Sequence, residues 1–595
     1  MRIFITLCFF LFTVFASAQF SVDLIIENPS KEIKDAKASA VVMGGTEPFQ
    51  YHWSKKSVTQ SQSECSGIDE GVENTLKVTD ANGESVITTF TIPANSIEEK
   101  LNSSFMPLVD GLSAVLLWDP FAAIGIYDPV VYQSNGQPLL HANGDPVTTD
   151  CWLIVTLLIA AAIYFTFYFW FINIRAFKHS IHLVMGKYAR PEDKGEVTQF
   201  QALSAALSGT LGLGNIALVA VAIAAGGAGA TFWMIVAGLI GMSSKFIECT
   251  LGVKYRKIDA NGEVSGGPMY YLSQGLAKRK MKGLGHILAV LFAIMCVGGA
   301  LGGGNMIQAN QAFAQVAHVV GKEHVSSLWF GIVMAILVGL VIVGGIKSIA
   351  RVTDKIVPLM VIIYVGFALI IIGVNFKHIG SAFAEIWNGA FHPDALKGGF
   401  MGVMLMGFRR ASFSNEAGIG SASIAHSASK TDRPVSEGIV ALLEPFIDTV
   451  IVCTMTALVL IFTGFAADPQ GLTGSALTNA AFTSHFPWFD WVLTIAVLLF
   501  AYSTMISWSY YGMKSWAYLF GEKKWIKQTF NVLFMCCTVL GTVSGLGSVL
   551  DFSDMMILGM AFPNLIGLVI LSKEVKLDLK LYMEDLKNGV IQRYK

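Results

Sequence analysis

Two apolar segments of the chain are each interrupted near their middle by glycines and small polar residues. The first interruption, residues 207–215, reads LSGTLGLGN, and the second, residues 408–421, reads FRRASFSNEAGIGS. A half-helix that begins inside a membrane presents free N–H groups that suit a carboxylate, whereas one that ends there presents carbonyl oxygens that suit Na⁺. The two interruptions therefore predict a binding site for a carboxylate and a small cation.

The elements that carry these interruptions are predicted membrane spans. Hydrophobic residues make up 53% of the 595 residues and charged residues only 14%, whereas soluble proteins carry about a quarter charged residues. From Cys151 onward, eleven apolar segments are each long enough to cross about 30 Å of hydrocarbon. We therefore predict a mainly α-helical, polytopic membrane protein. The predicted spans are 151–172, 197–223, 231–251, 284–304, 328–346, 356–374, 399–425, 438–463, 489–512, 527–546 and 554–572.

The basic residues between the spans indicate how the chain is oriented. If the chain enters the first span from outside, thirty Lys and Arg residues lie in inside loops or the tail and three lie in outside loops. Because positive residues collect on the cytoplasmic side, we predict an outside N-terminus and a cytoplasmic tail at residues 573–595. The interrupted spans then open two inverted sets of five helices, 197–374 and 399–572, as transporter repeats do. Close helix packing is the alternative explanation for glycines in such helices.

The first eighteen residues have the pattern of an export signal. Arg2 precedes an apolar run from Ile3 to Phe15, and Ala-Ser-Ala follows at residues 16–18. This pattern predicts a signal peptide over residues 1–18, and an uncleaved anchor helix is the alternative. We therefore expect a multi-pass protein of the cell inner membrane whose N-terminal part is periplasmic.

The exported part is predicted to fold separately from the spans. Short β-rich runs between turn signals predict a small all-β domain, a β-sandwich, over residues 19–94. Residues 44–53 and 78–83 resemble the immunoglobulin-like repeats of bacterial surface proteins. Residues 95–150 then predict an amphipathic helix and a periplasmic linker.

Several short motifs, taken together and in order, identify a family. The sequence resembles the alanine or glycine:cation symporter family over nearly all of residues 97–572. This resemblance implies a LeuT-type fold of ten core helices in two inverted repeats, with 151–172 as an extra N-terminal span. It also implies Na⁺-coupled uptake of a small neutral amino acid such as alanine or glycine, with H⁺ as the alternative coupling ion. The motifs lie at residues 198–203, 212–217, 266–271, 304–308, 413–422, 424–426, 444–449 and 507–512.

The resemblance also implies roles for individual residues. Phe413 and Trp508 would limit the size of the substrate side chain, and Gly303 and Gln308 would form one wall. The alternative for the hydroxyls of Ser503 and Thr504 is a hydrogen bond to a carbonyl of their own helix. The full implied substrate set is Gly209, Thr210, Gly212, Leu213, Gly214, Asn215, Gly303, Gln308, Phe413, Thr504 and Trp508. The implied Na⁺ ligands are the carbonyls of Ser208, Leu211 and Phe500 and the hydroxyls of Ser503 and Thr504.

Acidic residues inside membrane spans cost free energy, and they are therefore first considered as functional residues. Glu416, Glu444 and Asp448 could relay protons or form gates with Arg409 or Arg410, and structural pairing is an equal alternative. His426 is expected near the cytoplasmic end of its helix, where a structural role is the simpler interpretation.

Other functions remain as alternatives. A channel would be expected to carry rings of charge or repeated filter loops, and a transporter-like sensor would be expected to carry a cytoplasmic output domain. An enzyme is the weakest alternative because no HExxH or GxSxG motif is present. The eight cysteines form no CxxC pair that would suggest a zinc or redox site. Nothing in the sequence indicates a nucleic-acid partner or an obligate protein partner.

Overall fold

The computed structural model describes most of the chain in two compact units, Met1–Ser104 and Phe105–Lys595. The signal peptide predicted for residues 1–18 lies outside the described residues. The residues that the structure describes are 21–27, 37–43, 46, 48–53, 63–66, 73–83, 85–91, 97–125, 129–130, 150–321, 324–391, 399–469, 472, 474–486, 488–543 and 547–594.

The N-terminal unit contains two three-stranded antiparallel sheets, with strand orders β1-β2-β4 and β3-β5-β6. Leu76 and Val78 of β5 are fully buried, as alternate residues of a strand are when one face covers a core. The ring of Trp53 packs edge-on against Phe90, with ring centroids 5.9 Å apart. The immunoglobulin-like character of this unit remains a prediction. The strands are β1 Ser21–Glu27, β2 Lys37–Met43, β3 Gln50–Trp53, β4 Glu64–Ser66, β5 Glu73–Thr79 and β6 Ser85–Thr91.

The rest of the described chain is mainly helical, with one short hairpin of β7 (Lys257–Ile258) and β8 (Val264–Ser265). Four π-helical turns interrupt the helices, at Gly214–Leu218, Tyr271–Gly275, Gly302–Met306 and Phe446–Cys453. π-Helical turns are rare and are often found at functional sites. The helices from the start of the unit are α1 Ile97–Leu116, α2 Pro120–Ala123, α3 Leu153–Tyr168, α4 Ile172–Arg175, α5 Phe177–Val184, α6 Gln199–Thr210, α7 Val219–Gly226, α8 Ala230–Lys254, α9 Pro268–Tyr270, α10 Leu276–Lys278, α11 Lys282–Leu301, α12 Ile307–Val320, α13 Ser327–Ile342 and α14 Gly345–Val374. The later helices are α15 Ile379–Phe391, α16 Gly399–Asn415, α17 Ala422–His426, α18 Pro434–Ala441, α19 Leu443–Pro445, α20 Thr454–Phe462, α21 Gly474–Thr483, α22 Phe489–Phe520, α23 Lys524–Val543, α24 Gly547–Gly559 and α25 Ala561–Lys587.

Seven helical stretches among the described residues are long and apolar enough to cross a membrane, or eight if one bent pair counts as a span. The chain is therefore a polytopic, mainly helical membrane protein. The count of eleven spans remains a prediction, because α3 and α13 have only 16 residues each. At 1.5 Å per residue such helices reach about 24 Å, which is short of the hydrocarbon thickness. The predicted span 399–425 also differs from the structure, in which it is divided into α16 and α17.

The core of the helical unit is formed by two long helices and their neighbours. Helix α8 packs against α16, α17 and α18, and helix α22 packs against α6, α11 and α12. Both α8 and α22 have long buried stretches that include polar residues. Polar groups buried at membrane depth must find partners within the protein, and these partners define the candidate site.

Candidate functional site

The first break in a span lies between α6 and α7. The two half-helices are inclined at 55° to one another, and the residue after α6, Leu211, adopts an extended ψ of 91°. The side-chain oxygen of Asn215 accepts the backbone N–H of Gly212 at 3.0 Å. Because the chain leaves the helix here, the last carbonyl groups of α6 have no partner within their own helix.

Helix α22 supplies donors to these released carbonyl groups. The hydroxyl of Thr504 donates to the carbonyl oxygen of Ser208 at 3.1 Å and lies 3.4 Å from that of Leu211. The indole N–H of Trp508 donates to the carbonyl of Gly209 at 3.2 Å. Thr504 and Trp508 are four residues apart and therefore share one face of α22. This face closes the first break.

The contacts join the predicted Na⁺ ligand atoms in two groups: the Thr504 hydroxyl with the carbonyls of Ser208 and Leu211, and the Ser503 hydroxyl with the carbonyl of Phe500. Beside the two contacts of Thr504, the hydroxyl of Ser208 donates to the carbonyl of Ser503 at 2.5 Å. The hydroxyl of Ser503 donates to the carbonyl of Phe500 at 3.0 Å, within its own helix. All these atoms are oxygens, the ligand type that hard cations prefer. Within the described part of the chain, no three His, Cys, Asp or Glu side chains form a group suited to a metal ion.

Three of the predicted substrate residues face a common space beside the first break. A Cβ atom at Gly212 would lie 3.2 Å from the Thr504 hydroxyl and 3.9 Å from the side-chain oxygen of Gln308. That oxygen is buried and has no hydrogen-bond partner, while the amide nitrogen of Gln308 donates to the carbonyl of Gly303 at 3.0 Å. The free acceptor therefore remains available to a ligand.

Sequence reasoning missed Tyr511, which lies beside Gly209 at the end of α6. Its hydroxyl is buried without a hydrogen-bond partner, and it would lie 3.1 Å from a Cβ atom at Gly209. Its ring packs edge-on against Trp508, with ring centroids 5.5 Å apart. The family motif at residues 507–512 includes this residue, but nothing in its pattern says that the hydroxyl is free.

The remaining predicted substrate residues have other neighbours. The hydroxyl of Thr210 donates to the carbonyl of Leu207 in its own helix at 3.3 Å. A Cβ atom at Gly303 would meet Ile557 and one at Gly214 would meet Leu218. Leu213 is buried, and Phe413 is partly exposed and packs on the main core without ring contact to Trp508.

The second break covers residues 416–421, between α16 and α17. Glu416 adopts a positive φ of 52°, which is uncommon for any residue but glycine, and Gly418 and Gly420 have φ values of 96° and 98°. The carboxylate of Glu416 accepts the hydroxyl of Ser421 at 2.5 Å. Backbone strain of this kind persists only where the surroundings hold it, and it is frequent at functional sites.

A buried carboxylate, Asp448, links the two breaks. It accepts the side-chain amide of Asn215 from the first break at 2.7 Å and the hydroxyl of Ser414, just before the second, at 2.7 Å. The hydroxyl of Thr449 donates to the same carboxylate at 2.8 Å. Because the other end of the Asn215 side chain holds Gly212, Asp448 fixes the backbone of the first break through one intermediate residue.

Arg409 and Arg410 differ from their prediction. The predicted span 399–425 contains both, although the count of basic residues placed them with the inside loops, and they lie inside α16, before the second break. The guanidinium of Arg409 lies 3.1 Å from the ring centre of Trp152, and the charge of Asp554 acts on both arginines. Among the described residues, neither forms an ion pair with Glu416, Glu444 or Asp448, so no gate contact between these groups is present in this structure.

Comparison with known proteins identifies the family. The sequence model of the "Sodium:alanine symporter family" matches residues 137–595. The chain belongs to this family. It is 41% identical over 438 residues to "Sodium/alanine symporter AgcS" of Methanococcus maripaludis, which covers 73% of this chain and 95% of that protein.

Two relatives from Bacillus subtilis are similar over the same part. The "Probable sodium/glutamine symporter GlnT" is 35% identical and the "Amino-acid carrier protein AlsT" is 33% identical, each covering 73% of this chain and 89% and 90% of the relative. Among solved structures, the crystal structure of MhsT in complex with L-phenylalanine aligns with 64% of this chain and 89% of that chain at 17% identity. The TM-score of this alignment is 0.44.

Membership of the sodium:alanine symporter family sets the class of activity. The protein is an integral membrane transporter and not an enzyme, and its family supports cation-coupled symport of amino acids. The buried oxygens, free acceptor and broken helices therefore belong to a transporter and not to a catalytic centre.

Close packing of a glycine on Trp508 gives a first prediction about this site. A Cβ atom at Gly304 would lie 2.4 Å from Trp508, so Gly304→Ala must displace the indole or α11. Overpacking of this kind costs about 1–3 kcal/mol. We expect a lower thermal unfolding temperature and loss of amino-acid uptake.

Gly366→Ala in α14 is the matched control, because a Cβ atom at Gly366 meets nothing within 4 Å. Equal unfolding temperatures and uptake rates for the two variants, measured side by side in detergent and in liposomes, would contradict the packing assigned to Gly304.

Proposed function

We propose that this protein takes up alanine, glycine or a similar small neutral amino acid together with Na⁺, by alternating access. The observation that carries the proposal is the hydroxyl of Thr504, which lies between the released carbonyls of Ser208 and Leu211. With Ser503 and Phe500 these groups offer Na⁺ a set of oxygen ligands. To admit the ion, the Thr504 proton turns away and its oxygen lone pairs face the same point as the carbonyls.

The amino acid would bind beside this ion, in the space that Gly212 leaves open. The buried oxygen of Gln308 has no donor and suits the substrate's ammonium group. The backbone N–H groups of the first break suit its carboxylate. Buried polar groups without partners cost free energy, so a ligand whose ammonium group satisfies the Gln308 oxygen is favoured.

The small size of the space predicts which amino acids are taken up. Trp508 bounds one side, and Phe413 is proposed to limit the other when the transporter closes. A closed apolar pocket discriminates about 10- to 200-fold between two substrates that differ by one methylene group. We expect leucine and phenylalanine to inhibit alanine uptake at least roughly tenfold less well than glycine or serine. Equal inhibition by leucine and glycine would show that this pocket does not select by size.

The proposed membrane arrangement follows the sequence. We propose eleven spans with a LeuT-type pair of inverted repeats, 197–374 and 399–572, after an extra span at 151–172. We also propose an inner-membrane location, a cleaved signal peptide, a periplasmic N-terminal domain and a cytoplasmic tail at 573–595. The breaks at 211–213 and 416–421 support the repeats because each lies in the first span of one set.

Uptake of radiolabelled alanine into proteoliposomes tests the function. We expect accumulation with an inward Na⁺ gradient and only equilibration with K⁺ in its place. Accumulation driven equally well by a proton gradient alone would replace Na⁺ with H⁺ as the coupling ion. No uptake of any small amino acid under either gradient would favour the alternative, a transporter-like sensor.

A further inference from the structure

A second group of ionisable side chains lies away from the proposed substrate and Na⁺ sites. Lys245 of α8, His426 of α17, Glu437 of α18 and Glu444 of α19 are each fully buried. We call these four residues the His426 cluster. His426 was expected at the end of its helix with a structural role. It is indeed the last residue of α17, and its side chain is fully buried between three helices.

Close contacts connect the cluster in a line. The ammonium of Lys245 lies 3.0 Å from one carboxylate oxygen of Glu444, Oε1. The Nδ1 atom of His426 lies 2.6 Å from Oε1 of Glu437. The other oxygen of Glu437, Oε2, accepts the hydroxyl of Ser429 at 2.6 Å and the side-chain amide of Gln199 at 3.2 Å. Glu437 therefore has its acceptors occupied and fixes Nδ1 of His426 as a donor.

The contact between His426 and Glu444 in this line is not a hydrogen bond. The Nε2 atom of His426 and the Oε2 atom of Glu444 lie 3.6 Å apart, and neither has a hydrogen-bond partner. With Nδ1 donating to Glu437, a neutral imidazole presents a lone pair at Nε2, which faces the negative oxygen of Glu444. A single proton on Nε2 turns this opposed pair into a charge-assisted hydrogen bond and satisfies both buried atoms.

The charge of the cluster also calls for one proton. With neutral histidine, one lysine faces two glutamates and the cluster carries a net charge of −1; with protonated histidine it is neutral. Burying a net charge away from water is costly. A metal ion is a poor alternative, because no three acidic, imidazole or thiol groups converge on one point within the described residues. The other titratable or charged groups that face the cluster are Glu248, Cys249, Arg256, Glu416, Asp448 and Tyr511.

We propose that His426 and Glu444 form a proton-binding site, occupied by one proton from water and returned to water when the site opens. The location links the proton to transport. His426 ends the half-helix that follows the second break, while its partners stand on α8, α18 and α19. When the proton is bound, α17 is held to these helices by charge-assisted contacts; when it leaves, Nε2 and Oε2 oppose each other and the contact is released. This link to transport depends on the proposed function, but the proton site itself does not.

Thermal unfolding of the full-length protein tests the proton site without any substrate. The folded protein binds the proton between two carboxylates, whereas an unfolded histidine releases it near pH 6.5. The stabilisation is therefore present at acid pH and lost as the pH rises. We expect the wild-type unfolding temperature to fall by on the order of 2 °C or more between about pH 6 and 9, and His426→Gln to lose this fall.

The same substitution at an exposed histidine, His286→Gln, is the matched control and should keep the wild-type profile. If His426→Gln fails to fold, the isosteric variant Glu444→Gln gives the same comparison, because it removes the negative acceptor. Profiles of His426→Gln or Glu444→Gln that run parallel to the wild type would overturn the proton site.

The pH dependence of Na⁺-driven alanine uptake then tests the link to transport. We expect a several-fold change in the wild-type rate over the same pH range and a flat profile in His426→Gln. A wild-type rate that does not change with pH would separate the proton site from transport. Absence of alanine uptake at every pH would count against the proposed function, and the unfolding profiles would still decide on the proton site.

Discussion

Thr504→Ala is expected to raise the Na⁺ concentration for half-maximal alanine uptake by at least roughly tenfold, because a lost ligand interaction of about 1.4 kcal/mol is tenfold in affinity. Among the described residues, the Thr504 hydroxyl is the side-chain group that contacts the carbonyls of both Ser208 and Leu211. Its removal takes away one of the two proposed hydroxyl ligands and the donor to these carbonyls. The measurement is alanine uptake into proteoliposomes over a range of Na⁺ concentrations at fixed alanine.

Two control variants make this prediction specific. Thr504→Ser keeps the hydroxyl and should stay close to the wild type. Thr529→Ala removes an exposed hydroxyl that donates to the carbonyl of Trp525 in its own helix, and it should have no effect. A Thr504→Ala protein with wild-type Na⁺ dependence would remove Thr504 from the ion site while leaving symport itself in place.

Asp448→Ala is expected to reduce alanine uptake more than any other single change in the site. It removes the carboxylate that accepts the amide of Asn215 and the hydroxyls of Ser414 and Thr449. The amide of Asn215 and the hydroxyl of Ser414 keep only their longer contacts, to the backbone carbonyl of residue 448 and the sulfur of Cys453. Each buried group left unsatisfied costs about 1–3 kcal/mol, and both breaks lose a common anchor. We expect at least a roughly hundredfold lower kcat/KM for alanine, since 1.4 kcal/mol is tenfold.

Asp448→Asn separates positioning from folding. It keeps the size of the side chain but replaces one acceptor oxygen by a donor, so either the amide of Asn215 or the hydroxyls of Ser414 and Thr449 lose their acceptor. We expect it to fold, to raise the KM for alanine and to lower kcat. Asp490→Asn, at the part-buried start of α22, is the control and should retain wild-type uptake. If Asp448→Asn transports alanine with wild-type KM and kcat, Asp448 does not position the breaks.

The two breaks could be predicted from the sequence because their signal is local. Glycines and small polar residues at 207–215 and 408–421 stand out against apolar surroundings, and helices do end there, at Thr210 and Asn415. The partners of the breaks could not be predicted in the same way. Asp448 is 233 residues from Asn215 and 34 from Ser414, and no sequence period connects such positions.

Charged residues inside the helices were the hardest to place from the sequence. Arg409 and Arg410 fall within the predicted span 399–425 but were counted with the inside loops, because charge usually marks the end of a span. In the structure, Arg409 stacks on the ring of Trp152 and the charge of Asp554 acts on both arginines, so α16 accommodates them. His426 and Glu444 lie 18 residues apart, on different helices, and both also depend on residues further away. Their common site appears only when α8, α17, α18 and α19 are packed together.

The most direct test of coupled transport is the entry of radioactive ²²Na⁺ into proteoliposomes driven by an alanine gradient. With equal Na⁺ concentrations inside and outside, an inward alanine gradient should drive ²²Na⁺ accumulation, and Thr504→Ala should strongly reduce it at the Na⁺ concentration that is half-maximal for the wild type. Entry of ²²Na⁺ that is the same with and without alanine would indicate a conducting channel. Alanine uptake without any accompanying ²²Na⁺ would contradict the proposal that one site couples the two.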